Sequence, residues 1–384
     1  MRGVPGPAAS NGVHRRHIRY PETASTGDRY AVSLRNPRRM IRERLNPGKR
    51  KSVEVNEMRA AFYTQQGPAR EVIRLGELPD PHPGPGEVRV RIHASGVNPT
   101  DTYTRSGIRR RGMPFRTIVP NQDGAGLIDE VGEGVSRERI GERVYVTMAQ
   151  WQRPWGTASE FVALPAERAI RLPQQASFEQ GACLGVPILT AHYALALYGG
   201  IVGQTVLVQG GAGGVGFYAV QFAKLQGAAT VIATVSSDQK GQIARSAGAD
   251  HVVNYRTDDL AARVSEITSG GGVRRVLEVD FAANAAAIPQ LLGKCGTVVV
   301  YGSRGPEGTV AATWGIQNQP TIRFIYMYEL PAEAYVAAYA DVERWMTQGK
   351  LKHLPVKTFS LEQTGAAHDW VEQGAGGVRA VVTL

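Results

Sequence analysis

A chain of 384 residues, 42% hydrophobic and 20% charged, is long enough for more than one core and has the composition of a globular protein. No apolar run approaches the length that crosses a bilayer as a helix, so no membrane-spanning segment is expected. Two cysteines, Cys183 and Cys295, are too few for a disulfide framework or a four-thiolate zinc lobe, and they point to a reducing cytoplasm.

The formal net charge of +10 would suit a nucleic-acid ligand, but its distribution argues against one. Residues 1–57 hold 13 Lys/Arg, including Arg15, Arg16, Arg38, Arg39, Lys49, Arg50 and Lys51, against 5 Asp/Glu. The rest carries 31 basic and 29 acidic side chains, so the body is nearly neutral and nucleic acid is not the expected partner. The extension has no hydrophobic period, which predicts disorder. It lacks the apolar run of a secretory signal, and Glu22, Asp28 and Glu43 oppose a mitochondrial presequence. A translation start at Met58, where the strand-like MRAAFYTQQG opens, is the simpler reading.

From 58 to 178 short strands alternate with turns. In GPGEVRVRIHASGVNP, Val88, Val90 and Ile92 alternate with Arg89, Arg91 and His93, the period of a half-buried strand. PNQDGAGLIDEVGEGV, GERVYVTM and GTASEFVALP continue the pattern, so this part reads as an all-β domain with glycine corners.

The period changes near 179. FEQGACLGVPILTAHYAL is helical, and then the strand QTVLVQG runs through GAGGVG into a helix in which Val215, Tyr218, Ala219 and Phe222 share a face. Further strands follow in ATVIATV, HVVNY, RRVLEVD and GTVVVYG, with helical stretches between them. Alternation of this kind implies an α/β fold with a parallel sheet over 179–320. The last part, 321–384, is mixed and ends in the strand RAVVTL, which is expected to rejoin the first domain's sheet. TIRFIYMY, near 321–328, reads as an exposed edge strand.

The glycine turn has the context of a dinucleotide site: strand, turn and helix within a βαβ unit. Glycines there let the backbone approach a pyrophosphate, and the helix N-terminus adds N–H donors and positive potential. The end of the second strand chooses the dinucleotide. An acid there would grip a ribose 2′-hydroxyl, but this chain has Ser236, followed by Lys240, both suited to a 2′-phosphate. NADPH is therefore the expected cofactor, with Asp238 the one dissenting residue. Tyr255 packs either beside the adenosine ribose-phosphate or into the core. Gly302, Ser303 and Arg304 end a later strand where a ligand would lie over the sheet's carboxyl edge.

GVNPTDTYTRSG, QDGAGLIDEVG, GERV, QGGAGGVG, NYR and YGSRG, in this order, resemble the zinc-independent, zeta-crystallin-like quinone oxidoreductases of the medium-chain dehydrogenase/reductase superfamily. The resemblance runs from Met58 to Leu384. It implies a Rossmann dinucleotide-binding domain beside a mainly β, GroES-like catalytic domain. Zinc-dependent members carry a cysteine in the first loop and a Gly-His-Glu element after it. This chain has Asn98 and then Gln122 and Asp123, and neither amide is a good zinc ligand, so no metal is expected.

By resemblance, Asn98, Asp101 and Tyr103 face the nicotinamide. Ala212, Gly213, Gly214 and Val215 form the pyrophosphate turn. Ser236, Lys240 and Tyr255 meet the adenosine phosphate, and Asn284, Tyr301, Gly302, Ser303 and Arg304 lie at strand ends near the cofactor. Phe324, Ile325 and Tyr326 run along the nicotinamide. Tyr103 either hydrogen-bonds the reduced oxygen of the substrate or holds the nicotinamide ribose. The implied activity is NADPH-dependent reduction of quinones in a homodimer. The alternatives are reduction of α,β-unsaturated ketones or aldehydes on the same fold, or a zeta-crystallin-like RNA-binding or structural role.

Overall fold

The computed structural model describes residues 56–384 apart from 109, 110 and 375. The extension expected to be disordered over 1–57 lies, through residue 55, outside the described residues.

Two sheets frame the site. One is parallel throughout and runs from edge to edge as His251–Asn254, Thr230–Val235, Thr205–Val208, Val273–Glu278, Leu292–Val300 and Thr321–Phe324. Its earliest strand, Thr205–Val208, sits in the middle. The chain builds outward to one edge, returns, and builds to the other. Doubly wound sheets of this order bind ligands beyond the strands' carboxyl ends, where the direction reverses. Val206, Leu207 and Val208 are fully buried, as expected of a strand covered by helices on both faces. Helix Gly214–Leu225 follows directly. A Cβ on Gly216 would lie 2.2 Å from the Gly210 carbonyl oxygen, so only glycine lets the helix start this close to its turn.

The second sheet is mixed, in the order Val356–Ser360, Arg379–Thr383, Glu87–Val97, Asp123–Val131, Arg143–Val146, Ala169–Arg171. Phe161–Pro165 pairs with the opening half of Glu87–Val97. The alternation in that long strand holds: Val88, Val90 and Ile92 are buried, while Arg89, Arg91 and His93 are not. The terminal strand pairs antiparallel with Glu87–Val97, with Ala380 opposite Val97. That register sets Arg379 beside Asn98.

Two local expectations change. The segment after Asn98 is helical over Pro99–Ser106, with proline in its first turn and Gly107 left-handed at its end (φ 79°), both common helix boundary devices. The edge strand stops at Phe324. Beyond it a single turn, Met327–Glu329, leaves the sheet. Tyr328 is held by stacking on Trp151 (ring centroids 4.7 Å apart) and by a 3.3 Å hydrogen bond to Thr100 Oγ1, which draw the chain towards the mixed sheet. Among the described residues no helix is long and apolar enough to cross a membrane.

Candidate functional site

A cavity of about 460 Å³ opens at the carboxyl edge of the parallel sheet. The glycine turn forms its floor with Gly210, Gly213, Gly214, Val215 and Gly216. Asn98, Thr100, Tyr103, Val186 and Thr190 come from the other side. Tyr255, Asp280, Tyr301, Gly302, Ser303 and Arg304 line the rest, together with Ile325, Tyr326 and Met327. Tyr326 is half-exposed, with the Trp151 ring edge-on behind it at 5.5 Å.

The most informative residue is Arg379, which sequence reasoning did not single out. It is 9% exposed, it lines the cavity, and its guanidinium lies against the N-terminus of helix Gly214–Leu225. A Cβ on Gly214 would fall 2.6 Å from its Nη1. A helix N-terminus is electropositive, so a buried cation there raises the local potential further. Its Nε is buried without a partner. A site built this way favours an anion.

Asn98 is buried, and both ends of its side-chain amide are bonded. Nδ2 donates to Asp123 Oδ2 at 2.7 Å, and Oδ1 accepts from Arg379 Nη2 at 2.7 Å. Asp101 does not line the cavity. Its carboxylate accepts from the backbone N–H of Asn98 (2.7 Å) and of Gln122 (3.1 Å), fixing the loop from behind. Asn-x-x-Asp at a helix start is a capping signal that the sequence does contain. Burial pushes the Asp101 carboxyl up to about 8 and that of Asp123 up to about 7.

The other expected residues separate into two groups. Tyr103, Gly213, Gly214, Val215, Tyr255, Tyr301, Gly302, Ser303, Arg304, Ile325 and Tyr326 share the cavity wall. Arg304 is tied to Asp280 through its Nε at 2.5 Å and its backbone N–H at 2.9 Å. Ser303 Oγ accepts from Ala282 N–H and donates to the Gly305 carbonyl. Ala212, Asn284, Phe324, Ser236 and Lys240 stand outside the wall. Ala212 is buried in the turn. Asn284 donates to buried Glu278, and Phe324 stacks edge-on against Phe281. Lys240 Nζ donates to Ser236 Oγ at 3.1 Å beyond the second strand, whereas Asp238 is exposed.

Comparison with known proteins supplies the lineage. The model for the alcohol dehydrogenase GroES-like domain matches residues 84–174, and that for zinc-binding dehydrogenase matches 214–343. The quinone oxidoreductase of Lama guanicoe is 30% identical over 330 residues, 85% of this chain and 97% of that protein. The chain belongs to the quinone oxidoreductase family. It is an oxidoreductase of the medium-chain dehydrogenase/reductase superfamily, with the Rossmann and GroES-like folds of its members. The Escherichia coli quinone oxidoreductase, solved in complex with NADPH, superposes with a TM-score of 0.74 at 29% identity, covering 85% of this chain and 100% of that one. The mycobacterial protein Rv1454c, also solved with NADPH, gives 0.75 at 29% identity with the same coverage.

Zinc, in the name of one matching model, does not fit the donors present. Asn98 turns its amide nitrogen to Asp123, and Gln122 donates to Gln150 at 3.1 Å. Among the described residues no cluster of three or more His, Cys, Asp or Glu could hold a metal ion.

Proposed function

We propose that this oxidoreductase reduces quinones with NADPH as the electron donor and without zinc. The observation that carries the reading is the buried guanidinium of Arg379 against the N-terminus of helix Gly214–Leu225, at the floor of the cavity: two positive elements converge where a pyrophosphate would lie. The glycine turn's N–H groups and Arg379 would hold that pyrophosphate. Ser236 and Lys240 would hold an adenosine 2′-phosphate, with Tyr255 and Arg304 flanking it. These residues favour NADPH over NADH because no acid replaces Ser236.

The nicotinamide end would lie towards Tyr103, Thr190, Ile325 and Met327, which line the same cavity. The reduced nicotinamide supplies hydride when bound. A quinone is electrophilic enough to take it without a Lewis acid, which suits a segment carrying Asn98 where the zinc-dependent members of the superfamily have a cysteine. Apolar Val186, Ile325 and Met327 exclude water from the reacting centre. Tyr103 serves there either as the donor to the reduced oxygen or as the anchor of the nicotinamide ribose.

The edge strand Thr321–Phe324 pairs on one side only within its sheet, which suits pairing with a second copy in a homodimer. Both cysteines are free, in keeping with a reducing cytoplasm. The testing experiment is a steady-state panel of quinones against α,β-unsaturated ketones and aldehydes with NADPH. Higher kcat/KM for quinones supports the proposal. Turnover confined to the enones would replace it.

A further inference from the structure

We infer that Asn98 and Asp123 are positioning residues that aim Arg379 at the cofactor's phosphates. This inference rests on the dinucleotide reading above and concerns residues on three separate segments.

The chain of contacts starts at helix Gly185–Ala196. Asp123 caps its N-terminus, accepting from Val186 N–H at 3.0 Å on Oδ1 and 2.9 Å on Oδ2. Gly185 makes that approach possible, since a Cβ there would lie 2.0 Å from Asp123 Oδ1. Asp123 then receives Asn98 Nδ2, and Asn98 Oδ1 receives Arg379 Nη2, each at 2.7 Å. Arg379 ends the chain at the N-terminus of helix Gly214–Leu225. Two helix N-termini are thus linked through one carboxylate, one amide and one guanidinium, all buried.

The middle position requires an amide. It must donate to a carboxylate on one side and accept from a guanidinium on the other. Asparagine presents both functions on one short planar group without a charge of its own. Its backbone N–H is also taken, by Asp101. With both ends of its amide and its backbone N–H bonded and 2% of the residue exposed, Asn98 acts on the cofactor through Arg379. Without the Asn98 acceptor the guanidinium loses the bond that directs it.

The test separates the two ends of the dinucleotide. The probe is 2′-phospho-ADP-ribose, which keeps the pyrophosphate and lacks the nicotinamide. Its affinity and that of NADPH are measured by calorimetry for the wild type, Asn98→Ala, Arg379→Met, the double variant and Asn98→Asp. Asn98→Ala is expected to weaken both ligands by the same factor, about tenfold, the loss of one charge-assisted contact. Added to Arg379→Met, it should weaken neither further. Asn98→Asp keeps the acceptor but sets a second carboxylate against Asp123 and pairs an anion with the guanidinium, so it too should weaken both ligands by a common factor. If Asn98→Ala does not fold, Asn98→Ser, whose hydroxyl reaches one neighbour but not both, replaces it. Loss of NADPH affinity with the fragment's affinity unchanged would overturn the inference and return Asn98 to a direct nicotinamide contact. Additive losses in the double variant would overturn it as well. A wild type that binds neither ligand would instead overturn the dinucleotide reading itself.

Discussion

Replacing Arg379 with methionine should cost binding more than it costs the fold. In the absence of ligand the arginine has opposing effects. It bonds Asn98 Oδ1, and removing it leaves that buried acceptor unpaired, a cost of about 1–3 kcal/mol. It also places a buried cation at the positive end of a helix, and removing that repulsion returns about 0.3–1 kcal/mol plus part of the desolvation cost. The net change in the free protein should therefore be about 0–2 kcal/mol. Binding is one-sided: a lost charge-assisted contact to phosphate is worth about 1.5–3 kcal/mol, or roughly 10- to 100-fold in Kd. The assay is thermal unfolding with and without NADPH. At a concentration 100 times the wild-type Kd, the ligand stabilises the wild type by about 2.7 kcal/mol. For the variant the same concentration is only about 1–10 Kd, leaving roughly 0.4–1.4 kcal/mol. A variant that melts early on its own yet gains the full wild-type stabilisation from NADPH would refute the reasoning and make Arg379 a structural residue.

Three further outcomes are expected. Lys240→Ala should weaken NADPH roughly tenfold or more and leave NADH nearly unchanged; equal losses would mean that Lys240 supports the fold and does not read the 2′-phosphate. Light scattering at micromolar concentration should give twice the chain mass, and a clean monomer would remove the pairing role of Thr321–Phe324. Burial raises the folded-state carboxyl of Asp123 from 3.8 to about 7, so its proton-bound form is the one the fold favours. Its stabilising contribution is full below 3.8 and is lost as pH rises through about 7. The stability of the wild type relative to Asp123→Asn, followed by denaturant titration, should fall across that window; a flat difference would show that the carboxyl stays ionised in the fold.

The sequence made the parallel sheet legible because each strand is a short apolar run and each connection a helical period. The glycine turn was legible because its meaning depends on neighbours in sequence: a strand before it and a helix after it. Arg379 was not, since its partner Asn98 stands 281 positions away and nothing local distinguishes one arginine at the start of a strand. Asp101 carried a readable signal that resemblance to the family obscured. Its spacing from Asn98 is that of a helix cap, and its oxygens are taken by backbone N–H groups. Phe324 and Tyr326 show the limit of reading a segment as one unit. The strand ends between them, so Phe324 meets Phe281 while Tyr326 meets the cavity.

The central claim is electron transfer from NADPH to a quinone without metal. It is tested most directly by following NADPH absorbance after mixing chelator-treated, metal-analysed protein with NADPH and a quinone. The account predicts full turnover with well below one zinc per chain. Activity that disappears on chelation and returns with added zinc would contradict it.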